Sequence, residues 1–166
     1  GFNTTDRAFA FSTIGSLDLA RTAEVQAKSF IIGTAGTIYV SPTNLYIAVP
    51  DRYTYGQPSA TTIHAFAIRD GKISHAAGGR IDGTLLNQYS LDEYEGTLRV
   101  ATTITPGSWQ MSGGTSSKIT VLDEDLKIIG TLPDIAPGER IYAARFMGNR
   151  LYLVTFRQTD PFYVIG

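Results

Sequence analysis

Residues 45–49 read Leu45-Tyr46-Ile47-Ala48-Val49, residues 98–102 read Leu98-Arg99-Val100-Ala101-Thr102, and residues 151–155 read Leu151-Tyr152-Leu153-Val154-Thr155. Each segment begins 53 residues after the one before it. Two equal spacings mark a structural repeat, and a repeat decides the architecture before any local reading does. In each segment Leu, Ile or Val alternates with a second set that includes Ala48, Ala101 and Val154. A strand with apolar side chains in both sets buries both of its faces. Upstream of each segment lies another extended stretch, at Gly36–Val40, Leu86–Leu91 and Ile141–Phe146. The links between them are SPTN, DEYEG and MGN, whose Pro, Asn, Asp and Gly reverse a strand.

A second hairpin follows in each unit. Ile63–Arg69 turns at Asp70-Gly71-Lys72 and returns as Ile73–Gly78. Lys118–Asp123 turns at Glu124-Asp125-Leu126 and returns as Lys127–Leu132. Phe162–Ile165 begins the same strand in the last unit, while Ala8–Thr13 and Ala20–Ala27 fit the second half of an earlier one. The expected fold is all-β: four-stranded antiparallel blades of a β-propeller, about three blades' worth, in thirteen strands. The expected division is a half blade at 1–35, blades at 36–82 and 83–135, and an incomplete blade at 136–166. A β-sandwich is the competing architecture, but it leaves a polar outer face on each sheet. Gly15–Gly33 is expected to be strand or irregular, although Leu17-Asp18-Leu19-Ala20-Arg21 mimics a helix.

Composition narrows the function classes. The chain is 43% hydrophobic and only 17% charged, which excludes a disordered charged tail. The net charge is −1, without the basic excess of a nucleic-acid binder. No apolar run reaches the roughly 18 residues of a membrane-spanning helix. Cysteine is absent, which removes disulfides and thiolate metal sites.

The stretch LLNQYSLDEYEGTLRVATT (Leu85–Thr103) resembles a family of secreted bacterial and archaeal proteins with a C-terminal β-propeller domain, distantly similar to WD40 repeats. APGERIYAARFMGNRLYLVTFRQTDPFYVI (Ala136–Ile165) and GTIYVSPTNLYIAV (Gly36–Val49) resemble it as well. The resemblance implies an extracellular or cell-surface location and a longer polypeptide with blades on both sides. It supplies no catalytic motif.

Function, on this reading, falls to the two loop faces. Long connections at Pro50–Thr61, Thr105–Ser117 and Arg157–Pro161 share one face and carry Tyr53, Tyr55, Gln57 and Trp109. Aromatic rings on adaptable loops suit protein or sugar contact, so Tyr53, Tyr55 and Trp109 are the candidate contact residues. The opposite face gathers carboxylates: Asp92, Glu93 and Glu95 in one turn, Asp123, Glu124 and Asp125 in another, and Asp70 in a third. Asp92, Glu93 and Glu95 offer the oxygens a Ca²⁺ ion takes. Their spacing matches no EF-hand loop, and turns favour Asp on their own account; no metal and no cofactor are assigned. His64 and His75 face each other across a hairpin, a pair without a third ligand that reads as strand packing. Arg157 is expected in a buried ion pair that fixes its loop, with Asp160 nearby. GxSxG, GxGxxG, P-loop and HExxH motifs are absent.

The sequence therefore reads as a non-catalytic extracellular interaction or scaffold module. The alternative is an enzyme or ligand-binding propeller with its site at the ring axis, where Asn87, Gln88 and Arg145 are the strongly polar residues of the inner strands. Fewer than four blades do not close a ring, and open blade faces and strand edges drive association. The expectation is a protein partner or self-association, including donation of a strand beside Phe162–Ile165.

Overall fold

The computed structural model describes residues 11–17, 25–32, 36–51, 55–107, 114–156 and 162–165. They form thirteen strands and one short 3-10 turn. Strands β1 (Phe11–Leu17) and β2 (Val25–Ile31) make a two-stranded sheet. The second sheet runs in order β3 (Thr37–Val40), β4 (Asn44–Pro50), β5 (Ala60–Arg69) and β6 (Lys72–Asp82). The third repeats that order with β7 (Leu91–Tyr94), β8 (Thr97–Ile104), β9 (Ser116–Leu122) and β10 (Ile128–Ile135). The fourth holds β11 (Arg140–Met147), β12 (Arg150–Phe156) and β13 (Phe162–Ile165). All pairings within these sheets are antiparallel.

The 53-residue period is a register as well as a spacing. Tyr39 pairs with Tyr46, Asp92 with Arg99, and Arg145 with Tyr152, so the first two strands of each four-stranded repeat meet at equivalent positions. Alternate side chains then serve alternate neighbours. On β4, Ile47 packs toward the first sheet with Ile14, Phe66 and Ile73, while Tyr46 and Ala48 pack toward the third. On β8, Leu98 and Val100 face the second sheet and Ala101 faces the fourth. Leu151 and Leu153 of β12 return that contact. Three apolar layers between four sheets are the packing of propeller blades.

Of Leu45, Ile47, Leu98, Val100, Leu151 and Leu153, the leading positions of the alternation in the second strands, five are at most 4% exposed: Ile47, Leu98, Val100, Leu151 and Leu153. Leu45 is the exception and is only half-buried. It looks toward the first sheet, where two described strands offer less cover than the four opposite Leu98.

The inner strand of the third sheet also departs from expectation. Leu86–Leu91 is not its strand. Asn87 caps a 3-10 turn at Gln88–Ser90 by accepting the Tyr89 N–H at 2.9 Å, and the strand starts at Leu91. The reversal then needs only Glu95 and Gly96, both at positive φ (49° and 77°). Two left-handed residues in succession are the tight hairpin geometry. Smaller shifts occur elsewhere: β6 and β10 run on to Asp82 and Ile135, while residues 8–10 and 20–24 of the two strands expected at the start of the chain lie outside the described residues.

Candidate functional site

The inner elements of three sheets converge on a cleft of about 500 Å³. Strand β3 contributes Ile38, Tyr39 and Val40. The 3-10 turn and β7 contribute Gln88, Tyr89, Leu91 and Asp92, and β11 contributes Arg145 and Phe146. Tyr39, Asp92 and Arg145 are the same repeat position, one from each sheet. Projecting inner-strand side chains toward one axis is what radial blades do, so the repeat builds this cleft.

The walls of the cleft are held by contacts between sheets. Tyr46 on β4 donates its hydroxyl to Oε2 of Glu93 on β7 at 2.9 Å. Ser41, at 2.7 Å, and Asn44, at 3.0 Å, donate to the same oxygen, and Thr43 donates to Oε1 at 3.1 Å. The whole β3–β4 turn thereby hangs from one carboxylate of the next sheet. Burial alone pushes the Glu93 carboxyl up, but the bonds from Asn44, Ser41, Tyr46 and Thr43 outweigh it and hold the group below its ordinary range. The Tyr46 phenol is pushed up, first by burial and then by its bond to Glu93.

At the next junction the equivalent residues are Arg99 and Phe146. The Arg99 guanidinium lies 4.4 Å from the Tyr94 ring centre and 5.0 Å from that of Phe146 on the fourth sheet. Its Nη2 donates to Asp92 Oδ2 and, at 2.7 Å, to the Gly148 carbonyl in the β11–β12 turn. Its Nε is buried without a hydrogen-bond partner, and the two aromatic faces are its surroundings. Arg145 sits in the cleft itself, 4.8 Å over the ring of Tyr89.

These contacts place the carboxylates expected to share a turn. Asp92 and Glu93 are strand residues, so their side chains leave opposite faces of β7. Asp92 turns to Arg99, Glu93 turns to the preceding sheet, and Glu95 lies in the exposed reversal. Among the described residues no three His, Asp or Glu side chains are placed to share a metal ion. Asp123 accepts the N–H groups of Asp125 and Lys127 through Oδ1, which spends it on its own turn. His64 and His75 stand 6.0 Å apart, and His75 also meets Phe66 edge-on at 5.4 Å. Burial, and then the neighbouring His75, lower the His64 pKa.

On the long-loop face Tyr55 is 73% exposed. Its loop is tied to the loop of the next sheet through Gly56 N–H to the Gly107 carbonyl (3.1 Å) and Ser59 N–H to the Thr105 carbonyl (3.0 Å). Gly107 suits this close approach, because an added Cβ would overlap the Gln57 backbone. Tyr53, Trp109, Arg157 and Asp160 lie outside the described residues. The sequence reading missed Tyr39, Tyr89 and the cleft role of Asp92. Moving the 53-residue offset six positions upstream of Leu45 lands on Tyr39, Asp92 and Arg145 and would have found the shared position.

Comparison with known proteins agrees with the architecture. The profile of the β-propeller domain family matches residues 3–166. An uncharacterised protein of Methanocaldococcus jannaschii is 41% identical over 115 residues, covering 69% of this chain and 17% of the relative. An uncharacterised protein of Archaeoglobus fulgidus is 48% identical over 85 residues, covering 51% of this chain and 12% of the relative. The chain thus spans less than a fifth of the length of either relative. No solved structure matches it. Four packed antiparallel sheets, three of which share a 53-residue register in their first two strands, and a family match over nearly the whole chain give one answer: the chain belongs to the β-propeller domain family.

Proposed function

We propose that the chain is a non-catalytic interaction and scaffold module of an extracellular or cell-surface propeller, and that it works by adding blade to blade. The observation that carries this reading is the outer face of the fourth sheet. Tyr142, Phe156 and Val164, on the side turned away from the third sheet, are 71%, 51% and 52% exposed. The Tyr142 and Phe156 rings lie 6.1 Å apart and form one apolar surface. Apolar faces of this kind favour association with a matching sheet. The matching surface is a further blade, from another copy of this chain or from the longer polypeptide whose relatives extend well beyond it. The engaged state of Glu93, Asp92 and Asp123 supports a structural use of the carboxylates.

Sedimentation of the 166-residue chain at low micromolar concentration tests this. The expected result is a particle larger than 18.0 kDa that is reduced by Val164→Lys. An 18.0 kDa monomer that unfolds cooperatively contradicts it. Surface labelling of intact cells tests the location: labelling only after lysis argues against a cell-surface module.

A further inference from the structure

We infer that the axial cleft binds a small ligand through a carboxylate, with Arg145 as its fork and Tyr89 as the platform that holds that fork. The inference goes beyond blade-to-blade association and does not depend on it. A volume of about 500 Å³ is that of a small-molecule site. Its lining is mixed: Ile38, Val40, Leu91 and Phe146 give apolar walls, and Tyr39, Gln88, Tyr89, Asp92 and Arg145 bring polar groups in about equal measure.

Arg145 sets the chemistry. Stacking on Tyr89 at 4.8 Å orients the guanidinium plane while leaving its N–H edge free for a planar acceptor. Among the described residues Arg145 takes part in no ion pair, because Asp92, the carboxylate in the same cleft, is bound to Arg99. Tyr39 accepts the Glu93 N–H at 3.1 Å through its hydroxyl oxygen, which leaves the hydroxyl proton to donate. Gln88 adds an exposed amide.

Shape selects among anions. Asp92 in the cleft wall is paired with Arg99, so the net charge that faces a ligand is the one guanidinium of Arg145. The planar fork of Arg145 matches a carboxylate in two parallel hydrogen bonds. The apolar walls and the Tyr89 ring favour a carboxylate carried on a flat or apolar body. A peptide C-terminus and a sugar acid both offer that group.

Calorimetric titration of the full-length protein decides the matter, with N-acetylphenylalanine, its amide, glucuronate and inorganic phosphate as probes. The expected result is binding of at least one carboxylate probe, with the amide at least about tenfold weaker than N-acetylphenylalanine where that probe is the one bound. Preference for N-acetylphenylalanine supports a peptide terminus, and preference for glucuronate supports a sugar acid. Arg145→Gln and Gln88→Glu, at two exposed positions, are each expected to weaken the bound carboxylate by about tenfold or more, with melting temperatures near that of the parent. Failure of both carboxylates to bind, undiminished binding by Arg145→Gln, or tighter binding of phosphate overturns the inference.

Discussion

Tyr46 with Glu93 joins the second sheet to the third, and Arg99 with Phe146 joins the third to the fourth. Residues 46 and 99, and residues 93 and 146, are 53 apart, so both junctions use the same two positions. The chemistry differs completely. The first junction is a carboxylate that collects four side-chain hydrogen bonds from the preceding hairpin. The second is a guanidinium held between two rings, with one arm on Asp92 and on a carbonyl of the following turn. The repeat determines where two blades touch near the axis, and it leaves open which interaction is used there. The apolar layers behind these contacts are alike in kind, with ten buried residues at the first junction and six at the second among the described residues.

If those layers carry most of the stability, truncating them gives the largest effect. Leu98→Ala and Leu153→Ala, at 1% and 0% exposure, are each expected to cost about 2–5 kcal/mol in urea unfolding. Leu45→Ala, half-buried against the two-stranded sheet, is expected to cost clearly less. Equal losses at Leu45 and Leu98 would erase the difference between the covered and the poorly covered face.

Next comes the guanidinium junction. Arg99→Met keeps much of the side-chain volume but strands Asp92 and the Gly148 carbonyl, and is expected to cost about 2 kcal/mol by the same measurement. Glu93→Gln retains one acceptor oxygen and is expected to cost about 1–2 kcal/mol.

The first junction has a pH signature that the guanidinium does not share. The Glu93 carboxyl is held below its ordinary value of about 4.5 in the folded chain. Between the folded and unfolded values the unfolded chain binds the additional proton, so stability rises with pH there. The contribution is present above about 4.5 and is lost as pH falls through the folded value. Melting temperature measured from pH 6 down to pH 3 is therefore expected to fall more steeply in the parent than in Glu93→Gln. Parallel curves would remove Glu93 from the acid response. The smallest effect is expected at the surface: Asp125→Asn breaks an exposed pair with Lys127 and is expected to leave the melting temperature unchanged.

The fold was readable because its signals are local and periodic. Alternating apolar residues and turn chemistry located the strands, and the period placed them in blades, because burial on both faces leaves apolar side chains in both sets. Asp92 and Glu93 were misplaced for a physical reason. Asp and Glu beside a Gly resemble a turn, yet two left-handed residues, Glu95 and Gly96, suffice for the reversal, and the first two carboxylates are left in the strand. The extra length was absorbed upstream by the 3-10 turn that Asn87 caps. The cleft was less visible still. Tyr89 stacks with Arg145 from 56 residues away in the sequence, and that contact arises only when two blades are placed side by side.

The equivalence of the two junctions is tested most directly by two double-mutant cycles on chemical unfolding. One pairs Tyr46→Phe with Glu93→Gln, and the other pairs Arg99→Met with Phe146→Leu. Residues in contact couple by about 0.5–3 kcal/mol, whereas distant residues add. Coupling of at least about 0.5 kcal/mol is expected within each cycle, with additivity for Tyr46→Phe combined with Phe146→Leu, which lie on the second and fourth sheets. Additive losses within either cycle would show that those positions do not join the blades.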